Sequence, residues 1–159
     1  MPQISHGTAA AHDEAILCNA TALRKASRRL SQLYDDALAP SGLRGTQFAI
    51  LAEVAGRGSD PPTMAELAAA LVVDRSALGH NLRPLERDGL VALRTDAQDR
   101  RRRHVVLTGR GAAKLRAAQP LWQAAQDHFH TTFGHAAAEE LRTTLLGIAN
   151  DERLGALTA

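Results

Sequence analysis

Between Asp74 and Asp88 the chain places hydrogen-bonding side chains and packing side chains at helical spacing. At about 100° per residue, Leu78, Leu82 and Leu85 fall within one narrow sector, and Ser76, His80, Arg83 and Arg87 fall opposite. A hydroxyl, an imidazole and guanidinium groups on one face suit base edges and phosphates in a DNA major groove. Gly79 beside them carries no side chain and lets a helix approach closely, and Thr63, Arg75 and Asn81 join the set of candidate DNA contacts. Pro84 removes one backbone hydrogen bond and is expected to bend the C-terminal half, a bend that an N-terminal half entering the groove tolerates. An ordinary solvated helix face has a similar composition, so this segment alone does not decide the function.

A second group of chemically active residues follows. Arg100, Arg101, Arg102 and Arg103 are consecutive, and four like charges repel unless an anion is near. On a protruding loop such arginines fit a narrow, electronegative minor groove. Asp99 is spaced to orient the Arg101 guanidinium through a bidentate pair. From Asp74 to Arg110 there are nine Arg against five Asp or Glu, whereas the whole chain carries only +2. Positive charge is therefore local and the remainder is net negative, the pattern of a discrete contact with a polyanion.

Other chemistry is weaker. Cys18 is the single cysteine and cannot form an internal disulfide, so a reduced, cytoplasmic protein is expected. A packed thiol is the ordinary reading of Cys18 and a redox sensor the alternative. Tyr34, the single tyrosine, lies sixteen residues on, about 24 Å along one helix and out of reach. His128, His130 and His135 cluster where the long helix ends, but His128 and His130 are two apart and point in different directions. No further ligands complete a set, so neither a metal nor a cofactor is expected. No nucleophile elbow or phosphate-binding glycine loop is present, and the acid pairs Asp35-Asp36 and Glu139-Glu140 diverge, so an enzyme is not expected. No apolar run approaches the roughly 18 residues of a membrane span, and no signal peptide is visible.

These residues need a frame to hold them. Hydrophobic residues make up 45% of the 159, with only 3% aromatic, as in a mainly helical protein packed through Leu and Ala. Residues 1–12 read as a disordered tail. Ile16, Leu23, Ala26, Leu30, Leu33 and Ala37 mark a helix over 13–39, broken by Pro40, Ser41 and Gly42. A second helix spans about Thr46 to Ala55, and Pro61-Pro62 form a stiff connector. Thr63-Met64-Ala65-Glu66 is a capping box opening a short helix through Leu71. Asp74 caps the next, which Gly89 stops. Val91 to Thr95 and His104 to Leu107 alternate as the strands of a hairpin with a charged tip. Thr108 caps a long helix to about Phe133, and a last helix from Ala136 to Asn150 carries Leu141, Leu145 and Ile148. Helix-turn-helix followed by a hairpin is a winged helix. The terminal helices hold more apolar surface than so small a domain covers, which calls for a second copy.

At this level the chain resembles the MarR family of bacterial regulators. The resemblance rests on Asp74-Arg75-Ser76-Ala77-Leu78, on Leu82-Arg83-Pro84-Leu85-Glu86-Arg87-Asp88-Gly89-Leu90-Val91 and on Asp99-Arg100-Arg101-Arg102-Arg103. Leu107-Thr108-Gly109-Arg110-Gly111 is similar to the family's Leu-Thr-x-x-Gly, and the segments Leu23 to Leu30 and Gly42 to Phe48 also resemble it. The likeness runs from about Glu14 to Asn150. It implies a mainly α winged helix-turn-helix over 43–110, with dimerisation helices at 13–39 and 111–159, binding a pseudo-palindromic operator on double-stranded DNA as a homodimer. Arg101 resembles the family's wing arginine and Asp99 its partner, while His80 stands where many relatives carry Arg. The resemblance further implies a ligand-responsive repressor whose effector sits between the two parts. Arg24, Ser27, Arg28, Ser31, Phe48, Leu51 and Trp122 are the candidate lining, suited to a small aromatic carboxylate. A redox regulator using Cys18, a constitutive architectural DNA-binding protein and a dimeric binding protein without DNA affinity are the rival readings.

Overall fold

Local chemistry sets most of the element boundaries in the computed structural model, which describes residues 18–96 and 98–154. Helix α1, Asn19–Leu38, ends where Pro40 enters a 3-10 turn, Ala39–Ser41, and Gly42 takes a left-handed φ of +73°. Helix α2, Gly45–Gly56, is capped from α1: the Gly45 N–H donates to Asp35 Oδ1 at 2.7 Å. Helix α3, Met64–Ala70, opens on the expected capping box, with Glu66 N–H donating to Thr63 Oγ1 at 3.2 Å and Thr63 N–H to Glu66 Oε2 at 2.7 Å. Asp74 accepts from Ala77 N–H at 2.8 Å and starts α4, Arg75–Arg87, which runs through Pro84. Strands β1, Val91–Thr95, and β2, Arg103–Leu107, pair antiparallel with Val91 opposite Leu107 and Leu93 opposite Val105. Helix α5, Gly109–Phe133, and helix α6, His135–Ala149, complete the chain before a short turn at Glu152–Leu154.

The architecture is the mainly helical winged helix-turn-helix that the sequence pattern implies. Several helix ends shift by one residue, and two boundaries differ in ways that bear on the reading. Strand β2 begins one residue earlier than expected, so Arg103 belongs to the strand rather than the tip. Helix α1 begins after Cys18, and the tail at 1–12 and the expected first helical turn from Asp13 lie outside the described residues.

One core holds the winged helix together. Leu38, Leu51, Leu67, Leu78, Leu85, Val91 and Val105 are all but inaccessible, drawing α1 to α4 and the hairpin onto one another, each side chain contributing about 1.5–3 kcal/mol. The proline connector joins the sheet as a partial third strand: Val105 N–H donates to Pro62 O at 2.8 Å, and Thr63 bridges His104. Helix α6 buries Ala138, while Leu141 and Leu145 are half-buried and Ile148 is exposed. With Leu23, Phe133, Leu146 and Leu154 also exposed, the terminal helices carry an uncovered apolar surface.

Helix α5 meets the sheet at closest quarters. Thr108 accepts from Gly111 N–H at 2.9 Å while its hydroxyl donates to Gly89 O at 2.7 Å. Gly111 is buried, and a Cβ there would run into the Leu90 carbonyl oxygen and come within 2.8 Å of Leu107 Cδ1. The turn between α3 and α4 has the opposite character: exposed Val72 holds a left-handed φ of +51°, which costs a β-branched residue roughly 1–2 kcal/mol. Gly111→Ala is therefore expected to lower stability by about 2–3 kcal/mol through overpacking. Val72→Gly should raise it by about 0.5 kcal/mol, the relief being offset in part by glycine's greater entropy in the unfolded chain. Urea midpoints at fixed protein concentration check both signs.

Candidate nucleic-acid interface

Helix α4 turns its leucines inward and its polar residues out. Leu78, Leu82 and Leu85 are buried, while Arg75, Ser76, His80, Arg83 and Arg87 are exposed. A Cβ added at Gly79 would meet nothing within 4 Å, so the middle of this face is open to an approaching surface. Arg87 pairs with its neighbour Asp88 at 3.0 Å, which leaves Ser76, His80 and Arg83 as the unengaged groups.

The wing adds guanidinium groups from the side. A groove of about 370 Å³ brings Arg75 of α4 together with Arg101, Arg102 and Arg103, against Thr63 and Glu66 at the first turn of α3. None of Arg100 to Arg103 makes an ion pair among the described residues. Four guanidiniums face one carboxylate, Glu66, in this groove, an excess of positive charge of the kind that suits phosphate oxygens.

Three expected contacts have internal duties. Thr63 is buried, and its hydroxyl lies 2.8 Å from Glu66 Oε2, so it fixes the start of α3 rather than offering a free contact. These bonds from the Thr63 N–H and hydroxyl hold the Glu66 carboxyl below its usual range. Asn81 Nδ2 donates one hydrogen to Ala77 O at 3.0 Å within α4, which fixes the orientation of its amide while its second N–H and its Oδ1 stay available. Asp99 pairs with no guanidinium among the described residues; its Oδ1 accepts the Arg101 backbone N–H at 2.9 Å. It shapes the tip as a short carboxylate closing a turn, and Arg101 is aimed by backbone rather than by an ion pair.

The root of the wing holds a pair that sequence reasoning missed. His104 Nε2 lies 2.9 Å from Asp96 Oδ2, and Nδ1 lies 2.8 Å from Pro61 O. Asp96 Oδ1 also accepts the backbone N–H groups of Gln98 and Asp99 at 2.7 and 3.0 Å. The His104 hydrogen bond, and then those two N–H groups, bring the Asp96 carboxyl down to about 2. Its bond to Asp96, and then to Pro61 O, pushes the His104 imidazole above its ordinary value. The hairpin pattern indicated a loop here, but a carboxylate and an imidazole eight residues apart give no sign of meeting until the hairpin closes.

Comparison with known proteins agrees with this geometry. The MarR family profile matches residues 41–102. The transcriptional regulator HosA of Escherichia coli O127:H6 is 34% identical over 123 residues, covering 73% of this chain and 86% of that protein. The transcriptional regulator MosR of M. tuberculosis, in complex with DNA, is 36% identical and superposes with a TM-score of 0.78 over 88% of this chain and 99% of that one. The chain belongs to the MarR family. The transcriptional repressor CouR, bound to a 23-mer DNA duplex, is similar in fold, with a TM-score of 0.76 at 25% identity over 94% of this chain and 100% of that one. As a MarR-family regulator the chain is a DNA-binding protein rather than an enzyme, and none of its described helices is long and apolar enough to cross a membrane.

MarR-family resemblance also directs attention to the space between the terminal helices and the winged helix. A cavity of about 720 Å³ lies there, with Ser27, Ser31, Phe48 and Trp122 in its lining. The Phe48 and Trp122 rings stack at 5.7 Å and 13°, making one flat wall. Arg24 and Arg28 do not line it, and Leu51 is fully buried in the core beneath. The lining also holds side chains absent from the expectation, among them Leu30, Leu141, Leu145, Tyr34 and Asp35. Tyr34 donates to Gln126 Oε1 at 2.6 Å, and burial pushes its phenol up. Cys18 is exposed ahead of α1. Hydrogen bonds from the Thr21 backbone and hydroxyl lower its thiol below the ordinary value, while Tyr34 is committed to Gln126. His130 and His135 rings approach to 5.1 Å, yet no group of three or more metal-ligating side chains occurs among the described residues.

Arg101→Ala is expected to weaken specific and nonspecific DNA alike and to lower the salt slope of binding by about 1. Affinity measured across a salt series checks this, and an unchanged slope would remove the wing tip from the interface.

Proposed function

We propose that this chain is an effector-responsive repressor that binds a pseudo-palindromic operator as a homodimer. The observation that carries the DNA reading is the convergence of α4's open polar face with three wing arginines on one side of the fold. Ser76, His80 and Arg83 read base edges, and Arg75 with Arg101 to Arg103 hold phosphate or enter the minor groove. The uncovered apolar surface of α1 and α6, including Leu23, Leu146 and Ile148, supports a second copy across the terminal helices. In the dimer the two α4 helices stand about one duplex turn apart, roughly 34 Å.

The lining favours an effector chemistry other than the aromatic carboxylate that the sequence reading suggested. Among the described residues no Lys, Arg or His side chain lines the cavity, and the charged group there is the Asp35 carboxylate. With Oδ1 held by Gly45, Asp35 would repel a second carboxylate. The stacked Phe48–Trp122 wall and the apolar side chains Leu23, Leu30, Leu141 and Leu145 favour a flat aromatic molecule that is uncharged or cationic. A ligand there bears on α1, α2, α5 and α6 together and would favour one spacing of the α4 helices over another.

Binding-site selection from random duplexes gives the operator, and His80→Ala or Arg83→Ala should then relax preference at particular base pairs, costing about 1–3 kcal/mol at the selected site. A loss uniform across sequences would make these residues phosphate clamps. Planar cations and neutral aromatics should quench Trp122 fluorescence and release the operator, whereas salicylate should do neither; the reverse ranking would overturn the ligand class. Truncation after Gly134 removes α6 and should abolish the dimer in sedimentation, and a soluble truncated dimer with full affinity would contradict the proposed interface.

A further inference from the structure

We propose that His104 and Asp96 form a pH-sensitive latch that fixes the wing to the Pro61–Pro62 connector and so makes DNA affinity depend on the charge of one imidazole. The inference rests on reading this face as the DNA interface, but the latch itself stands on geometry internal to the free protein.

Each ring nitrogen of His104 faces an oxygen that can only accept: the Pro61 carbonyl at 2.8 Å and the Asp96 carboxylate at 2.9 Å. A neutral imidazole has one N–H and satisfies one of them, leaving a lone pair against the other. The imidazolium has two and satisfies both. Only the charged ring therefore ties the connector and the wing loop together. Other charged groups nearby cannot replace it. Arg94 is the cross-strand partner of His104 on β1, and Arg102 of the wing loop disfavours the imidazolium. Glu66 of α3 is committed to Thr63, α2 presents Val54 and Ala55 to the same region, and Arg57 beyond its end pairs with Glu53. The side chains of His104 and Asp96 are about a quarter exposed, at 24% and 23%, on a groove of about 570 Å³ that admits solvent protons.

Four backbone groups are hydrogen-bonded around this pair. Asp96 Oδ1 holds the Gln98 and Asp99 amides, Asp96 N–H donates to Arg102 O at 2.9 Å, and Val105 N–H donates to Pro62 O. The turn that carries Arg100 to Arg102 is thereby anchored at its base, and losing one arm of the latch loosens these arginines without removing any. The sign follows from the directions of the two shifts. Asp96 stays ionised down to about 2. The His104 contribution is complete below the ordinary histidine value and is lost as pH rises through its raised one. The wing is held from acid to neutral pH and released on the alkaline side.

Operator affinity measured from about pH 6 to about pH 9 at constant ionic strength tests this, with the ring nitrogens of His104 and the protection of the Val105 and Asp99 amides followed in the free protein. Wild-type affinity should fall about tenfold more than that of His104→Gln, the order of one charge-assisted hydrogen bond. Amide protection should fall with the same midpoint as the imidazole. In Asp96→Asn the side-chain oxygen still serves the turn, and the amide can donate to a neutral ring. That variant should keep its wing ordered, and its pH step should leave the measured range. An imidazole titrating at or below the ordinary value, or amide protection flat across the range, would overturn the latch even where affinity falls, since charge alone would then explain the loss. A latch that titrates in a protein binding no DNA at any pH would overturn the link to affinity along with the interface reading.

Discussion

The first turn of α5 lies so close to the start of β1 that no methyl group fits between them, and the rest of the molecule is arranged around that contact. Gly111 packs on the Leu90 carbonyl, Thr108 reaches Gly89 where α4 ends, and Val91 and Leu107 close the hairpin at the same point. The end of α4, both strand ends and the long helix that carries Trp122 thus meet in one junction. Close-packed contacts of this kind transmit displacement rather than absorb it. A change at the Phe48–Trp122 wall that moves α5 must carry α4 and the wing with it or break the junction.

The interface is built by division of labour. Its exposed groups carry charge and hydrogen-bonding capacity to solvent, and a second set of polar groups, Thr63, Asn81, Asp96 and Asp99, bonds to nearby backbone or caps it. That second set matters because α3 is only seven residues long, too short to persist without its cap, and because a loop of consecutive arginines repels itself. Positioning a flexible cation costs conformational entropy on binding. A turn already closed by carboxylate to amide bonds reduces that cost before DNA arrives.

What could be read from the amino-acid sequence was what is decided locally. The capping residues Thr63, Asp74 and Thr108, the breaks at Pro40 and Gly89, and the leucine spacing of α4 involve neighbours within a turn or two, and each element from α2 to α6 appears within a residue or so of its expected bounds. The faces of α4 were legible for the same reason. The roles of Thr63 and Asn81 were not, because whether a polar side chain points outward or back to its own backbone depends on burial that spacing does not reveal. Arg24 and Arg28 failed as cavity residues because the edge of a helical wheel is only a sector; which neighbour fills it is set by α2 and α5. Asp35, Tyr34, Asp96 and His104 gave no signal, since each acquires its partner only when distant segments close.

The proline connector has a consequence for the protein in a crowded cell. Strands with an open row of amide donors recruit other strands, and two-stranded sheets are especially exposed to such pairing. Here the outer side of β2 is met by Pro61 and Pro62, whose carbonyls accept from His104 and Val105 and whose ring nitrogens carry no hydrogen to offer onward. The ladder therefore terminates on that side by covalent structure rather than by charge. A wing that must protrude to reach a groove is in this way kept from nucleating intermolecular sheet, and a substitution at Pro62 would show itself as insolubility before it showed itself as lost regulation.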